Sequence, residues 1–206
     1  MNPRLRGLYF VTPGKHAGRL ELVAAALRGG ARIVQYRDKS DDTDARQHDA
    51  AAILGQCRRA DALCLINDDV ALCKTVGADG VHLGADDIAI EAARIRLGPD
   101  RIIGASCYND LQRAHNAVAA GADYVAFGSI YPSVTKPAAR RADLDLLRAA
   151  RRELDIPICA IGGITPDNAM PVVAAGADMV AVIQGITDSP VPETAAHRLQ
   201  SLFAAG

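Results

Sequence analysis

The sequence has no tryptophan, and aromatic residues make up only 4% of its 206 residues. So small an aromatic supply excludes the stacked-base platforms of single-strand nucleic-acid binders. Charge of one sign is equally lacking: 23 Lys plus Arg stand against 24 Asp plus Glu, a formal net charge of −1. That balance offers no pull toward nucleic acid or an anionic membrane. No apolar run approaches the roughly 18 to 20 residues that span a bilayer; the densest, 62–66 and 179–183, have strand lengths. Arg4 and Arg6 precede only a short apolar stretch at 8–11 before Pro13 and Gly14, too little for a secretory signal. A cytoplasmic location is expected. The five cysteines (Cys57, Cys64, Cys73, Cys107, Cys159) are scattered and form no C-x-x-C pair. They read as small core residues in a reducing compartment rather than as disulfides or zinc ligands.

What is present is a regular alternation. Half the residues are apolar and 23% are charged, as in a folded globular chain, and the length suits one domain over 1–206. Short β-rich apolar runs at 7–12, 32–37, 62–68, 80–84, 101–106, 124–130, 157–163 and 179–186 predict strands. Stretches of helical period at 19–28, 44–59, 70–76, 88–97, 111–120, 143–154, 166–175 and 193–204 predict the helices between and after them. Nearly continuous apolar strands alternating with helices imply a parallel sheet covered by helices. The phrase Gly-Ala-charged recurs at Gly30, Gly77, Gly121 and Gly176, roughly 45 to 55 residues apart, about two βα units each. A closed (β/α)8 TIM barrel is the expected fold. An open doubly wound sheet is the alternative, although no Gly-x-Gly-x-x-Gly follows the first strand.

Active sites of such barrels gather at the C-terminal strand ends, and the polar residues there are numerous. Strand two ends in Gln35-Tyr36-Arg37-Asp38-Lys39, where Gln35, Arg37 and Lys39 share one side of an extended chain. Two cations and an amide suit a phosphorylated ligand, though a solvated strand end would look the same. Strands three and four lead to Asn67-Asp68-Asp69 and to His82 with Asp86-Asp87. Carboxylates from neighbouring strand ends can share a magnesium ion with a diphosphate; equally, Asp68 or Asp87 can cap the next helix. His82 reads as a hydrogen-bonded barrel residue rather than a zinc ligand, because no second ligand lies at metal spacing. Ser106 and the loop holding Ser133, Thr135 and Lys136 offer an anion clamp, and no Gly-x-Ser-x-Gly elbow marks a nucleophile. Gly162-Gly163 and Ile183-Gln184-Gly185 form small-residue turns where this architecture holds phosphate, or else tight turns only.

These pieces resemble thiamine-phosphate synthases. The match runs from Gln35-Tyr36-Arg37-Asp38-Lys39 through Ile66-Asn67-Asp68-Asp69, Gly80-Val81-His82-Leu83-Gly84 with Asp87, and Ile103-Gly104-Ala105-Ser106. It continues through Phe127-Gly128 to Thr135-Lys136 and on to Ala160-Ile161-Gly162-Gly163-Ile164, nearly the whole chain. The resemblance implies a (β/α)8 transferase that joins an aminopyrimidine-methyl diphosphate to a thiazole phosphate, releasing pyrophosphate by a dissociative route. By the same resemblance Gln35, Tyr36, Arg37, Asp38, Lys39, Asn67 and Ser106 hold the pyrimidine diphosphate, and Asp68 and Asp87 hold Mg2+. Ser133, Val134, Thr135, Gly163, Ile183 and Gln184 hold the thiazole phosphate, and Lys136 bridges the two. Arg37, Lys39, Ser106 and Lys136 are the implied catalytic residues. Ala85, Ser133 and Gln184 depart from the family pattern, the last two altering hydroxyl donors near the thiazole phosphate. A thiazole tautomerase and a non-catalytic precursor-binding protein are the competing readings. Small-molecule substrates are expected and nucleic acid and membrane are not, while a homo-oligomer stays open.

Overall fold

Residues 2–14, 16–132 and 141–203 are described by the computed structural model. The strands are β1 (Gly7–Val11), β2 (Ile33–Tyr36), β3 (Leu63–Asn67), β4 (Gly80–Leu83), β5 (Ile102–Tyr108), β6 (Tyr124–Phe127), β7 (Ile158–Ile161) and β8 (Met179–Val182). The helices are α1 (Arg19–Arg28), α2 (Thr43–Arg59), α3 (Val70–Val76), α4 (Ile90–Leu97), α5 (Leu111–Ala119), α6 (Leu144–Glu153), α7 (Met170–Ala174), α8 (Gln184–Thr187) and α9 (Pro192–Ser201). Each strand pairs in parallel with the next and β8 returns to β1, closing the barrel. The (β/α)8 architecture is the one expected, and closure in sequence order excludes the open doubly wound sheet.

Strand alternation divides the core into two layers. On β1, Leu8 and Phe10 pack outward under the helices while Tyr9 and Val11 point into the barrel. On β2, Val34 and Tyr36 pack outward and Ile33 points in. The recurring Gly-Ala-charged phrase sits at the start of the even strands, where Gly77 closes α3 in the left-handed conformation. Its aspartates brace the barrel floor: Asp79, Asp123 and Asp178 accept the backbone amides of Cys64, Ile103 and Ile158 at 2.7, 2.7 and 2.8 Å. Arg94 and Arg151 pair with the last two.

Several boundaries differ from the sequence expectation. The eighth strand, expected to reach 186, stops at Val182, and residues 184–187 form α8 instead. Ile183 leaves the extended region, and the chain tucks Gly185 so close under Ile164 that a Cβ would lie 2.5 Å from its carbonyl oxygen. The sixth strand stops at Phe127 rather than 130, and α7 begins at Met170 rather than 166. Before α7, Asn168 folds the preceding turn by accepting the Thr165 amide and donating to the Gly163 carbonyl. β5 runs on to Tyr108 rather than stopping at 106, so Ser106 lies inside the strand rather than at its end. All five cysteines are buried and free. Among the described residues no helix is long and apolar enough to cross a membrane.

Candidate active site

At the C-terminal ends of the strands the barrel opens into a cavity of about 440 Å³, with Gln35, Arg37, His82 and Ser106 on one wall and Gly162, Gly163 and Gln184 on the other. A second hollow of about 460 Å³ adjoins it between the loops after β2 and β3, lined by Lys39 and Asp68 among others. Asn67 borders both.

Strand parity builds the cationic wall. Gln35 and Arg37 face the main cavity and Lys39 faces the adjoining one. Thr12, fully buried at the end of β1, accepts the Arg37 amide at 2.9 Å and pins the strand end. Tyr36, expected to bind substrate, lies on the other parity. Its ring packs outside the barrel beneath the Arg19 guanidinium, 5.2 Å from the ring centroid, so the structure does not bring its side chain to the cavity. Asp38 borders the adjoining hollow, but its oxygens are engaged by Arg19 at 2.7 Å and by the Ser40 amide at 2.9 Å. Burial raises its pKa, yet hydrogen bonds from Ser40 and Arg19 prevail and hold it at about 2.

The two expected metal ligands converge. Asp68, at φ 63°, donates its amide to the His82 carbonyl at 2.9 Å, which ties the end of β3 to β4. Its carboxylate reaches Lys39 at 3.5 Å and meets that of Asp87, whose Oδ2 accepts the Gly84 amide at 2.6 Å. Burial pushes the Asp68 pKa up, contact with Asp87 adds to the rise, and Lys39 opposes it. Neither caps a helix. Asp69 caps α3 by accepting the Leu72 amide at 2.8 Å, and α4, with Ala89 at its N-cap position, has no side-chain cap. Two abutting carboxylates with a cation beside them are a donor set suited to a hard divalent ion, since magnesium takes few protein ligands and keeps positions for water and phosphate. Among the described residues no three His, Cys, Asp or Glu side chains group around a metal position.

His82 is bonded at both ring nitrogens, Nδ1 to the Tyr124 hydroxyl and Nε2 to Ser106 Oγ, each at 2.8 Å. It is the hydrogen-bonded barrel residue that the sequence suggested. On the opposite wall Gly162 and Gly163 adopt φ 107° and 62°, and a Cβ on Gly163 would lie 2.4 Å from the Pro132 carbonyl oxygen. Backbone approaches there as a phosphate-binding turn requires. Ile183 and Gln184 border the same wall, Gln184 opening α8. The expected Ser133, Val134, Thr135 and Lys136 lie outside the described residues. Sequence reasoning passed over Tyr9, Tyr124 and Arg19. The two tyrosines carried a usable signal, because a tyrosine on the inward parity of a barrel strand must find a partner for its hydroxyl.

The fold and its rim chemistry define a (β/α)8 barrel equipped for phosphorylated ligands. Within that class the chain belongs to the thiamine monophosphate synthase family, whose model matches residues 8–186. It is 55% identical over 203 residues to the thiamine-phosphate synthase of Thioalkalivibrio sulfidiphilus, covering 97% of this chain and 96% of that one. With the thiamine-phosphate synthase of Chromobacterium violaceum it shares 52% identity over 207 residues, 100% of both chains. Among solved structures, thiamine phosphate pyrophosphorylase from Pyrococcus furiosus superposes with a TM-score of 0.90 at 35% identity, covering 98% of each chain.

Proposed function

We propose that this protein is a magnesium-dependent transferase that makes thiamine monophosphate from an aminopyrimidine-methyl diphosphate and a thiazole phosphate. The observation that carries the reading is the Asp68–Asp87 carboxylate pair beside Lys39, across the barrel mouth from the Gly162–Gly163 turn. That arrangement separates a metal-diphosphate end from a monophosphate end. The carbon–oxygen bond to the diphosphate breaks with its electron pair leaving on oxygen, and the thiazole nitrogen lone pair forms the new carbon–nitrogen bond. No covalent protein nucleophile takes part.

Arg37 and Lys39 meet the charge that grows on the departing diphosphate. A bound magnesium ion, held by Asp68 and Asp87, supplies further neutralisation of that charge. Gln35, Asn67 and Ser106 orient the pyrimidine, and the Gly163 backbone with Ile183 and Gln184 receives the thiazole phosphate. Apolar side chains of Val11, Ile161 and Ile183 line the same cavity and keep water from the cationic carbon. By family resemblance Ser133, Val134, Thr135 and Lys136 complete the phosphate contacts. The free, buried thiols accord with a cytoplasmic location.

The reading is tested by mixing the protein with both substrates and magnesium and assaying thiamine monophosphate and pyrophosphate together, with an EDTA control. Equimolar products that vanish with EDTA are expected. Absence of product from folded protein overturns the reaction, and full activity in EDTA overturns the metal.

A further inference from the structure

We propose that Tyr9 and Tyr124 are positioning residues: through a one-way chain of hydrogen bonds they hold His82 in its Nε2–H tautomer and leave the Ser106 hydroxyl proton for the ligand. The ligand assignment rests on the reaction proposed above; the chain itself does not.

The chain starts on β2. Gln35 Nε2 donates to the Tyr9 hydroxyl at 2.5 Å. An amide nitrogen offers no acceptor, so Tyr9 accepts there; its own proton, sealed from solvent, is left the Tyr124 hydroxyl 2.9 Å away as the acceptor within reach. Tyr124 then gives its proton to His82 Nδ1 at 2.8 Å. A neutral imidazole that accepts at Nδ1 carries its hydrogen on Nε2, which faces Ser106 Oγ at 2.8 Å. Ser106 accepts that hydrogen, and its own proton remains for the cavity it lines.

Packing fixes the geometry. Tyr9 and Tyr124 are sealed, at 1% and 0% exposure. Burial pushes both phenol pKa values far up, so each stays neutral and can accept and donate at once. The Tyr124 ring stacks on His82 with centroids 5.6 Å apart and meets Tyr9 edge-on at 6.1 Å. Its seat is Gly104, where a Cβ would fall 2.0 Å from Tyr124 Cζ. The chain's direction decides what the cavity presents. Gln35 keeps Oε1 as an acceptor at one end, and Ser106 becomes a donor at the other. An aminopyrimidine, with a donating amino group and accepting ring nitrogens, matches that polarity; the reversed chain would present a donor and then an acceptor.

The test is 15N NMR of histidine-labelled, ligand-free protein at pH 8, with the His82 signals assigned by their loss in His82→Gln. Wild type is expected as the Nε2–H tautomer. Gln35→Glu, whose carboxylate can only accept from Tyr9, is expected to reverse every bond and switch His82 to Nδ1–H. Adding Tyr124→Phe cuts the chain, and the switch is expected to disappear. A merely structural role for the tyrosines would not transmit that change. Tyr124→Phe alone is expected to raise KM for the pyrimidine diphosphate about tenfold with a smaller change in kcat. Nδ1–H in wild type, or a tautomer indifferent to Gln35→Glu, overturns the proposal. A wild type that shows Nε2–H and the switch yet never turns over the pyrimidine diphosphate supports the chain and counts against the proposed reaction.

Discussion

Arg19 and Asp38 form an ion pair at 2.7 Å with side chains only 4% and 8% exposed, and Asp38 stands between Arg37 and Lys39. Arg19 also donates to Asp49 at 2.6 Å and to the Gly14 carbonyl at 2.6 Å. One buried guanidinium thereby ties the loop after β1 to the strand end that carries both cations. Removing a partner from a buried pair costs more than the pair itself contributes, because a charge is left unpaired.

The pH dependence of this pair has a definite sign. Asp38 falls from its ordinary 3.8 to about 2 in the folded protein. A lowered folded pKa contributes stability above pH 4, about 2 kcal/mol here, that is lost as pH falls through 2. Denaturant unfolding of wild type and Asp38→Asn should show a stability gap at pH 6 that narrows between pH 4 and 2. A gap independent of pH would assign the effect to packing.

Adjacent aspartates on the loop after β3 should fail differently. Asp69 caps α3 and pairs with Arg46 at 2.7 Å, so Asp69→Ala should lower stability by about 1 kcal/mol. Asp68→Ala and Asp87→Ala should instead cut turnover on the order of a hundredfold and weaken magnesium binding measured by calorimetry. Equal magnesium affinity in wild type and both variants would remove these two residues from the metal site.

Gly104→Ala should be destabilising by about 1 to 3 kcal/mol, because its methyl group collides with the buried Tyr124 ring. Urea unfolding reads the cost directly. An unchanged midpoint would mean that the ring has room to move.

Gly163→Ala should act on one substrate. Its φ of 62° strains any side chain, and the new methyl group meets the Pro132 carbonyl. KM for the thiazole phosphate should rise about tenfold or more while KM for the pyrimidine diphosphate changes little. Equal rises in both would relocate the thiazole phosphate away from this turn.

Periodicity and local turn chemistry were enough to read the order of the eight strands and the shared side of Gln35 and Arg37 from the chain alone, and they made the closed barrel the expected fold; Lys39, beyond the end of β2, faces the adjoining hollow instead. These are properties of residues a few positions apart: apolar alternation sets which side chains point inward, and glycine marks where helices stop. Where local signals were ambiguous, tertiary contacts decided. In sequence Asp68 could cap the next helix; in the structure Asp69 takes that place, and the left-handed backbone of Asp68 and the closeness of Asp87 give Asp68 its different role. Tyr36 stands between Gln35 and Arg37 in the motif, yet its parity sent it beneath Arg19. The last expected strand extension became α8 because Gly185 packs against Ile164 from the neighbouring loop. Tyr9 and Tyr124 lie 115 residues apart and touch only because the barrel closes. Sequence by itself determined the fold and the kinds of group at the barrel mouth, since both follow from short-range pattern. Tertiary structure alone decided which of those groups converge and which way their hydrogen bonds run, because a buried donor can be satisfied only by whatever acceptor the closed barrel brings against it.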